Sequence, residues 1–162
     1  MNGKLWGAAY KQTPLPCSRR YAFRKRLGNF VRIAVISDIH GNLRALEAVQ
    51  SDLRQRSPDL VVNLGDHLSG PLDAAGTADV LMAEKYLSIL GNHDRELLNR
   101  PVEEMGASDR AARVRIHDRH KLWLQDLPAR LELEPDILLC HGTPEDDLEY
   151  LLETQSAVAC RS

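Results

Sequence analysis

The stretch YLSILGNHD, residues 86–94, joins a short apolar run to a turn crowded with polar side chains. The apolar part is predicted to be a buried strand, and Asn92, His93 and Asp94 follow where it ends. Three further stretches have the same form: RIAVISDIHGN at 32–42, DLVVNLGDH at 59–67 and DILLCHGTP at 136–144. Imidazole, carboxylate or amide groups therefore follow directly after four predicted strands.

Predicted strands and helices alternate along the chain from Val31 onwards. The strands are predicted at 31–37, 60–64, 86–90 and 137–140. One helix is predicted to follow Asn42, a suitable cap, and others are predicted near 77–85, from Arg95 and over about 109–126. This alternation predicts an α/β fold with a largely parallel core sheet.

The four polar clusters are expected to meet in space, because the carboxyl ends of neighbouring strands lie along one edge of such a sheet. Together they supply Asp38, His40, Asp66, His67, Asn92, His93, Asp94 and His141. Each residue alone could merely satisfy a turn or face solvent. Four coincidences at four strand ends favour a metal site, and imidazole and carboxylate without thiolate suit Mn, Fe or Zn.

Composition restricts the class of protein. The 162 residues suffice for one domain, and the net charge of −2 combines +7 in residues 1–30 with −9 in the remainder. We expect residues 1–30 to be a disordered basic extension, and an acidic domain makes nucleic acid a poor candidate partner. Three scattered cysteines and no apolar run of about 18 residues predict a cytoplasmic protein with no membrane span.

Several other chemistries have no motif in this chain. There is no GxGxxG or GxxxxGK[ST] for nucleotide phosphates and no GxSxG for a serine hydrolase. An aspartyl-phosphate enzyme could use Asp38 as its nucleophile. Enzymes of the haloacid-dehalogenase type, however, carry a second Asp two residues later, where this chain has His40.

The ordered set DxH, GD, GNHD and a later His resembles the calcineurin-like metallophosphoesterases, and small bacterial members most closely. The resemblance runs from Val31 to about Thr154, through IAVISDIHGNLRALEAV, VVNLGDHLSGPL, GNHDR and LCHGTPEDDLEYLLET. It implies a layered α/β sandwich with a β-sheet core flanked by helices. The domain is accordingly expected at 31–154, followed by an atypical tail at 155–162.

The resemblance also implies a dinuclear site for two divalent ions, with Mn favoured. Asp38 and His40 would bind the first ion, Asp66 would bridge both, and Asn92 and His141 would bind the second. His93 would face the substrate as general acid, and Asp94 would hold its ring. The implied reaction is hydrolysis of a small phosphate ester, preferably a diester, by a metal-bridging hydroxide.

The chain departs from the family pattern at the last motif, which supplies two further metal ligands. The family pattern ends with GHxH, whose two histidines complete the coordination, and this chain has no GHxH. We therefore expect an incomplete domain with its C-terminal part missing. The alternative to an enzyme is a non-catalytic remnant or metal-binding module of the same family.

Four further residues receive no catalytic assignment. His67 could line the site, whereas His117 and His120 are expected in the long helix away from any strand end. Arg95 could hold a phosphate, but a place on the solvated face of a helix is favoured.

Overall fold

The computed structural model describes Arg19–Tyr21, residues 31–133 and residues 137–152. The strands are β1 (Arg19–Tyr21), β2 (Ile33–Ile36), β3 (Leu60–Asn63), β4 (Leu87–Ser88), β5 (Arg130–Leu133) and β6 (Ile137–Cys140). The helices are α1 (Leu43–Arg56), α2 (Ala74–Ala83), α3 (Asn92–Asn99), α4 (Ala107–Arg113) and α5 (Asp118–Asp126), with a 3-10 turn at Val102–Glu104.

The first sheet is parallel and has the order β2–β3–β4. Ile33 pairs with Leu60, and Val62 pairs with Leu87. The β-branched residues of β2 and β3 suit a pleated surface, and Val62 is completely buried. Three of the four predicted strands therefore form the predicted parallel sheet, although each is shorter than its predicted range.

The second sheet has the order β1–β5–β6, with β5 and β6 antiparallel. The expectation that the fourth predicted strand, β6, joins the parallel sheet is therefore wrong. β5 was not predicted, because RLEL offers only two apolar positions, Leu131 and Leu133, which alternate with charged ones. β1 is parallel to β5, so the expectation that regular structure begins at Val31 fails for Arg19–Tyr21. The other residues of the predicted extension, and the tail at 155–162, lie outside the described residues.

The helices are bounded by local hydrogen bonds. Asn42 caps α1 as predicted, since its side-chain oxygen accepts from the Ala45 N–H at 3.1 Å. The single helix predicted over 109–126 is wrong, because α4 ends at Arg113 and α5 begins at Asp118. His117 caps α5, and its N–H donates to His120 Nδ1 at 3.1 Å, a capping arrangement that sequence patterns rarely assign to histidine.

Two hydrophobic cores hold the layers together. One lies among the helices and contains Leu68, Ala74, Ala78, Leu97, Ala112, Ile116 and Leu124. The other joins the two sheets and contains Val62, Ile89, Leu131, Leu133 and Leu139. The predicted layered α/β architecture is thus confirmed. Within the described ranges, no helix is long and apolar enough to cross a membrane.

Candidate metal centre

The turns after β2 and β3 place three predicted metal ligands in the left-handed region of the backbone. Asp38, His40 and Asp66 have φ angles of 54°, 50° and 56°. Such conformations cost a non-glycine residue about 1–3 kcal/mol and persist where the surrounding structure enforces them. The two turns are tied together, because the Asp38 N–H donates to Gly65 O and the His40 N–H donates to Asp66 O, each at 3.0 Å.

Asp66 lies at the centre of the cluster and is almost completely buried. Its Oδ2 is 3.8 Å from His40 Nε2 and 3.5 Å from His141 Nε2. Asp38 Oδ1 lies 3.8 Å from the same His40 nitrogen, and Asn92 Oδ1 lies 2.9 Å from His141 Nε2. The structure therefore brings together all five predicted ligands, even though β6 belongs to the other sheet.

Backbone carbonyls orient both imidazoles of the cluster. His40 Nδ1 lies 2.9 Å from Ser69 O, and His141 Nδ1 lies 2.7 Å from Leu64 O. A carbonyl can only accept, so each Nδ1 carries the hydrogen and each Nε2 is directed at Asp66. Histidines that bind metals are commonly fixed in this way.

The donors fit a cation. His141 Nε2 is surrounded by the oxygens of Asn92 and Asp66, and a neutral Nε2 lone pair would be repelled by both. Without a metal the position attracts a proton instead: the Asp66 hydrogen bond raises the pKa of His141 to about 9, burial opposes this, and the charge of Asp66 adds to it. Ligand atoms of Asp38, Asp66 and His141 lie within 4.8 Å of one another. Oxygen and imidazole donors at this spacing suit a divalent ion such as Mn or Zn.

Helix α3 begins at Asn92 and directs its N-terminus at Asp66. The His93 N–H donates to Asp66 Oδ1 at 2.9 Å, so Oδ2 remains directed at the two imidazoles. A helix N-terminus favours negative charge through its free N–H groups. The GNHD turn thus holds Asp66 as well as supplying Asn92 to the cluster.

The expectation that Asp94 holds the His93 ring is wrong. Asp94 is completely buried and lies 2.6 Å from His67 Nδ1. It also accepts from the N–H groups of Asp66 and His67 at 2.9 Å and of Gly91 at 3.1 Å. Burial alone would raise the pKa of Asp94, but the charge and hydrogen bond of the His67 ring and the N–H groups of Gly91 and His67 lower it. As the third residue of α3, Asp94 points back towards the helix start, away from the neighbouring ring.

The His93 ring contacts residues that the sequence did not indicate. Its Nδ1 lies 3.1 Å from Asp109 Oδ1 and 3.4 Å from Ser69 Oγ. The rings of His93 and His40 also meet at nearly a right angle, with 5.3 Å between their centroids. His93, Glu96 and Asp109 also form a second group whose ligand atoms lie within 4.8 Å of one another.

Two residues that received no catalytic assignment, Arg95 and His120, also form ion pairs. Arg95 forms a bidentate ion pair with Asp147, with distances of 2.9 and 2.5 Å, which joins α3 to the segment after β6. His120, predicted to lie away from the site, is fully buried and contacts Asp79 at 2.9 Å. These two residues therefore have ion-pairing partners of their own.

A cavity of about 600 Å³ opens over the cluster. Polar lining residues include Asp38, His40, Asp66, Asn92, His93 and His141. Apolar lining residues include Val35, Leu138, Leu148, Tyr150 and Leu151. A ligand in this cavity could therefore contact the predicted metal ligands and an apolar wall together.

Fold and site together define an α/β protein with a cluster of imidazole, carboxylate and amide groups suited to a divalent ion. Residues 31–159 match the calcineurin-like phosphoesterase family, and the chain belongs to that family. Members are typically dependent on two metal ions. This agrees with the two imidazole groups on either side of Asp66.

Known proteins that are similar to this chain in sequence or structure are longer than it is. An uncharacterized protein of Methanocaldococcus jannaschii is 38% identical over 68 residues, which are 42% of this chain and 28% of that protein. The metallophosphoesterase from Sphaerobacter thermophilus is 31% identical, with a TM-score of 0.63, over 76% of this chain and 52% of its own. A protein provisionally assigned as a diadenosine tetraphosphatase is 26% identical, with a TM-score of 0.57, over 78% and 55%. The chain thus spans about half the length of these two solved structures.

Proposed function

We propose that this chain carries the catalytic centre of a metal-dependent phosphoesterase, with phosphodiesters as the favoured substrates. The observation that carries the proposal is the position of Asp66. Its Oδ2 lies between His40 Nε2 and His141 Nε2, at 3.8 and 3.5 Å. A carboxylate between two imidazole-bearing donor groups suits a bridge between two cations, because its charge offsets their repulsion.

The two ions would be held in two sets. Asp38 and His40 would bind one, Asn92 and His141 would bind the other, and Asp66 would bind both. When bound, two such cations lower the pKa of water and neutralise phosphoryl oxygens during an in-line displacement. The set contains carboxylate, amide and imidazole donors but no thiolate, which suits Mn, Fe or Zn, and the family resemblance favours Mn²⁺ among them.

His93 would protonate the leaving oxygen of the ester. It lines the cavity beside Asp38 and Asp66, its side chain is 37% exposed, and it is not needed as a ligand. Proton transfer from a positioned histidine is typically worth about 10²–10⁴-fold in rate. Asp94 would contribute indirectly, because its contacts fix the backbone of Asp66.

The cavity favours a diester over a monoester. Its volume of about 600 Å³ leaves room for a second ester group beside the scissile phosphate. Val35, Leu138 and Tyr150 offer that group an apolar wall rather than a further cationic contact. A solved relative is provisionally assigned as a diadenosine tetraphosphatase, and that name denotes a substrate with two nucleoside groups.

Hydrolysis of bis(p-nitrophenyl) phosphate with added Mn²⁺ tests the proposal. We expect metal-dependent turnover by the full chain, and in His93→Ala, with Mn²⁺ binding retained, a loss that reaches about 10²-fold or more for a phenyl diester, whose leaving group needs the proton most. Bound Mn²⁺ without turnover would contradict the enzyme and leave a metal-binding module. Equal rates for the chain and His93→Ala would contradict the role of His93.

A further inference from the structure

Asp109 is a buried carboxylate that lies outside every motif of the sequence. It is the third residue of α4 and is 4% exposed. Its Oδ1 accepts from Ser69 Oγ and lies 3.1 Å from His93 Nδ1. Burying a carboxylate is costly unless it is hydrogen-bonded or paired, so these contacts account for its presence there.

We infer that Asp109, with Ser69, is the positioning residue for His93, which rests on the proposed general-acid role. A carboxylate can only accept at Nδ1, so the Nδ1 hydrogen is directed at Asp109. The other ring nitrogen, Nε2, is left to exchange a proton with the substrate. A fixed third group behind an acid–base histidine sets its tautomer and its ring orientation.

Ser69 makes the contact directional. Its Oγ lies 3.4 Å from His93 Nδ1, and the hydroxyl itself donates to Asp109. Ser69 is 2% exposed, so water has little access to the pair. The Asp109 carboxylate therefore has two fixed partners, Ser69 and His93. Rotation of the His93 ring would break both contacts of its Nδ1, the one with Asp109 at 3.1 Å and the one with Ser69 at 3.4 Å.

Asp94 is not available for this role, because His67 and three backbone N–H groups occupy it. An acidic residue in the first turn of α4 is favourable because it interacts with the helix dipole. That role alone would not require Asp109 to contact His93. A metal shared by His93, Glu96 and Asp109 is less suited to the contacts, since Glu96 binds Arg100 at 2.9 Å and Asp109 binds Ser69.

The test compares Asp109→Ala, Asp109→Asn and Ser69→Ala in the Mn²⁺-loaded chain, with phenyl and p-nitrophenyl diesters. Misplacing a catalytic group by about 1 Å can cost about 10²-fold. We expect Asp109→Ala to lower kcat by about 10–10²-fold with KM nearly unchanged, and more for the phenyl ester, whose leaving group needs the proton more. Asp109→Asn keeps an acceptor oxygen, so it should retain part of the rate. Asp118→Ala is the matched control, because Asp118 is also in the first turn of a helix but is exposed and paired with Lys121.

A double-mutant comparison separates positioning from a general loss of structure. In a His93→Ala background, Asp109→Ala should cause no further loss of kcat. Additive losses, or a fall in bound Mn²⁺ by one ion in Asp109→Ala, would overturn the inference. The second result would instead indicate a metal at His93, Glu96 and Asp109.

Nitrogen NMR of the histidine rings gives a readout that is independent of turnover. In the Zn²⁺-loaded chain, which is diamagnetic, we expect the His93 Nδ1 hydrogen in the wild type and a shift of the Nδ1 signal in Asp109→Asn. An unchanged signal would overturn the inference. A changed signal together with full activity in His93→Ala would sustain the positioning contact and contradict only the proposed general acid.

Discussion

Asp94 and His67 form a completely buried pair in which a carboxylate oxygen lies 2.6 Å from Nδ1. The same carboxylate accepts from the N–H groups of Asp66 and His67, so it fixes the turn that presents Asp66. The His67 ring packs edge-on against Trp123 at 5.1 Å between centroids. The Asp66 turn of the candidate centre is therefore held by a second buried carboxylate, that of Asp94.

Asp94→Ala should be among the most damaging single changes. It leaves the His67 ring and three backbone N–H groups buried without their acceptor, and breaking a buried pair typically costs about 3–5 kcal/mol. Urea unfolding followed by circular dichroism measures the loss. Asp52→Ala is the control, because Asp52 and its partner Arg56 are exposed on α1, and it should barely move the midpoint. A loss for Asp94→Ala as small as that of the control would show that the buried pair is dispensable.

Asp66→Asn should reduce Mn²⁺ binding more than removal of either imidazole, His40 or His141, does. Its Oδ2 faces His40 and His141, so replacing the charged oxygen weakens both proposed positions, whereas His40→Ala or His141→Ala weakens one. Isothermal titration with Mn²⁺ gives the number of ions bound. Asp59→Asn, at an exposed carboxylate just before β3, is the control. If Asp66→Asn still bound as many ions as the control, Asp66 would not be a bridge.

The strand ends could be predicted because their signals are local. An apolar run followed by a polar turn predicts where Asp38, Asp66 and Asn92 lie, and the parallel order of strands brings those ends together. His141 reaches the same place from the other sheet. That sheet was not predicted, since β5 shows only two apolar residues in alternation with charged ones.

Contacts between distant segments were the part that the sequence could not supply. The pairing of Asp109 with His93 depends on how α4 packs against α3, and no spacing rule relates the two residues. Whether Asp94 contacts His93 or His67 depends on the direction of its side chain in the first turn of α3. The family resemblance implied that Asp94 holds the His93 ring, whereas in the structure the Asp94 carboxylate contacts His67.

Gly91→Ala should displace Asp66. A Cβ at Gly91 would overlap Asp66 N and Oδ1, and both belong to the fixed turn rather than to the free end of a flexible side chain. Forcing extra volume into such a position typically costs about 1–3 kcal/mol. Gly106→Ala is a matched control, because Gly106 also directly precedes a helix and the nearest atom to its added Cβ is 3.7 Å away. Gly91→Ala should unfold at a lower temperature and bind less Mn²⁺ than Gly106→Ala. Equal unfolding temperatures and equal Mn²⁺ binding of the two variants would contradict the proposed overlap.

Stability should fall at low pH through Asp79, away from the candidate centre. Hydrogen bonds from His120 and then from Arg119 lower the pKa of Asp79 below its ordinary 3.8, against a smaller effect of desolvation. A lowered folded-state pKa stabilises the fold above the ordinary pKa, and this contribution disappears as the pH falls through the lowered value. Asp79→Asn should therefore unfold at a lower temperature than the wild type at pH 7, and the difference should shrink as the pH falls below 3.8. Arg119→Ala, which leaves the 2.9 Å contact with His120, should lose less. A difference between wild type and Asp79→Asn that is as large at the acid end as at pH 7 would mean that the charge of Asp79 contributes nothing.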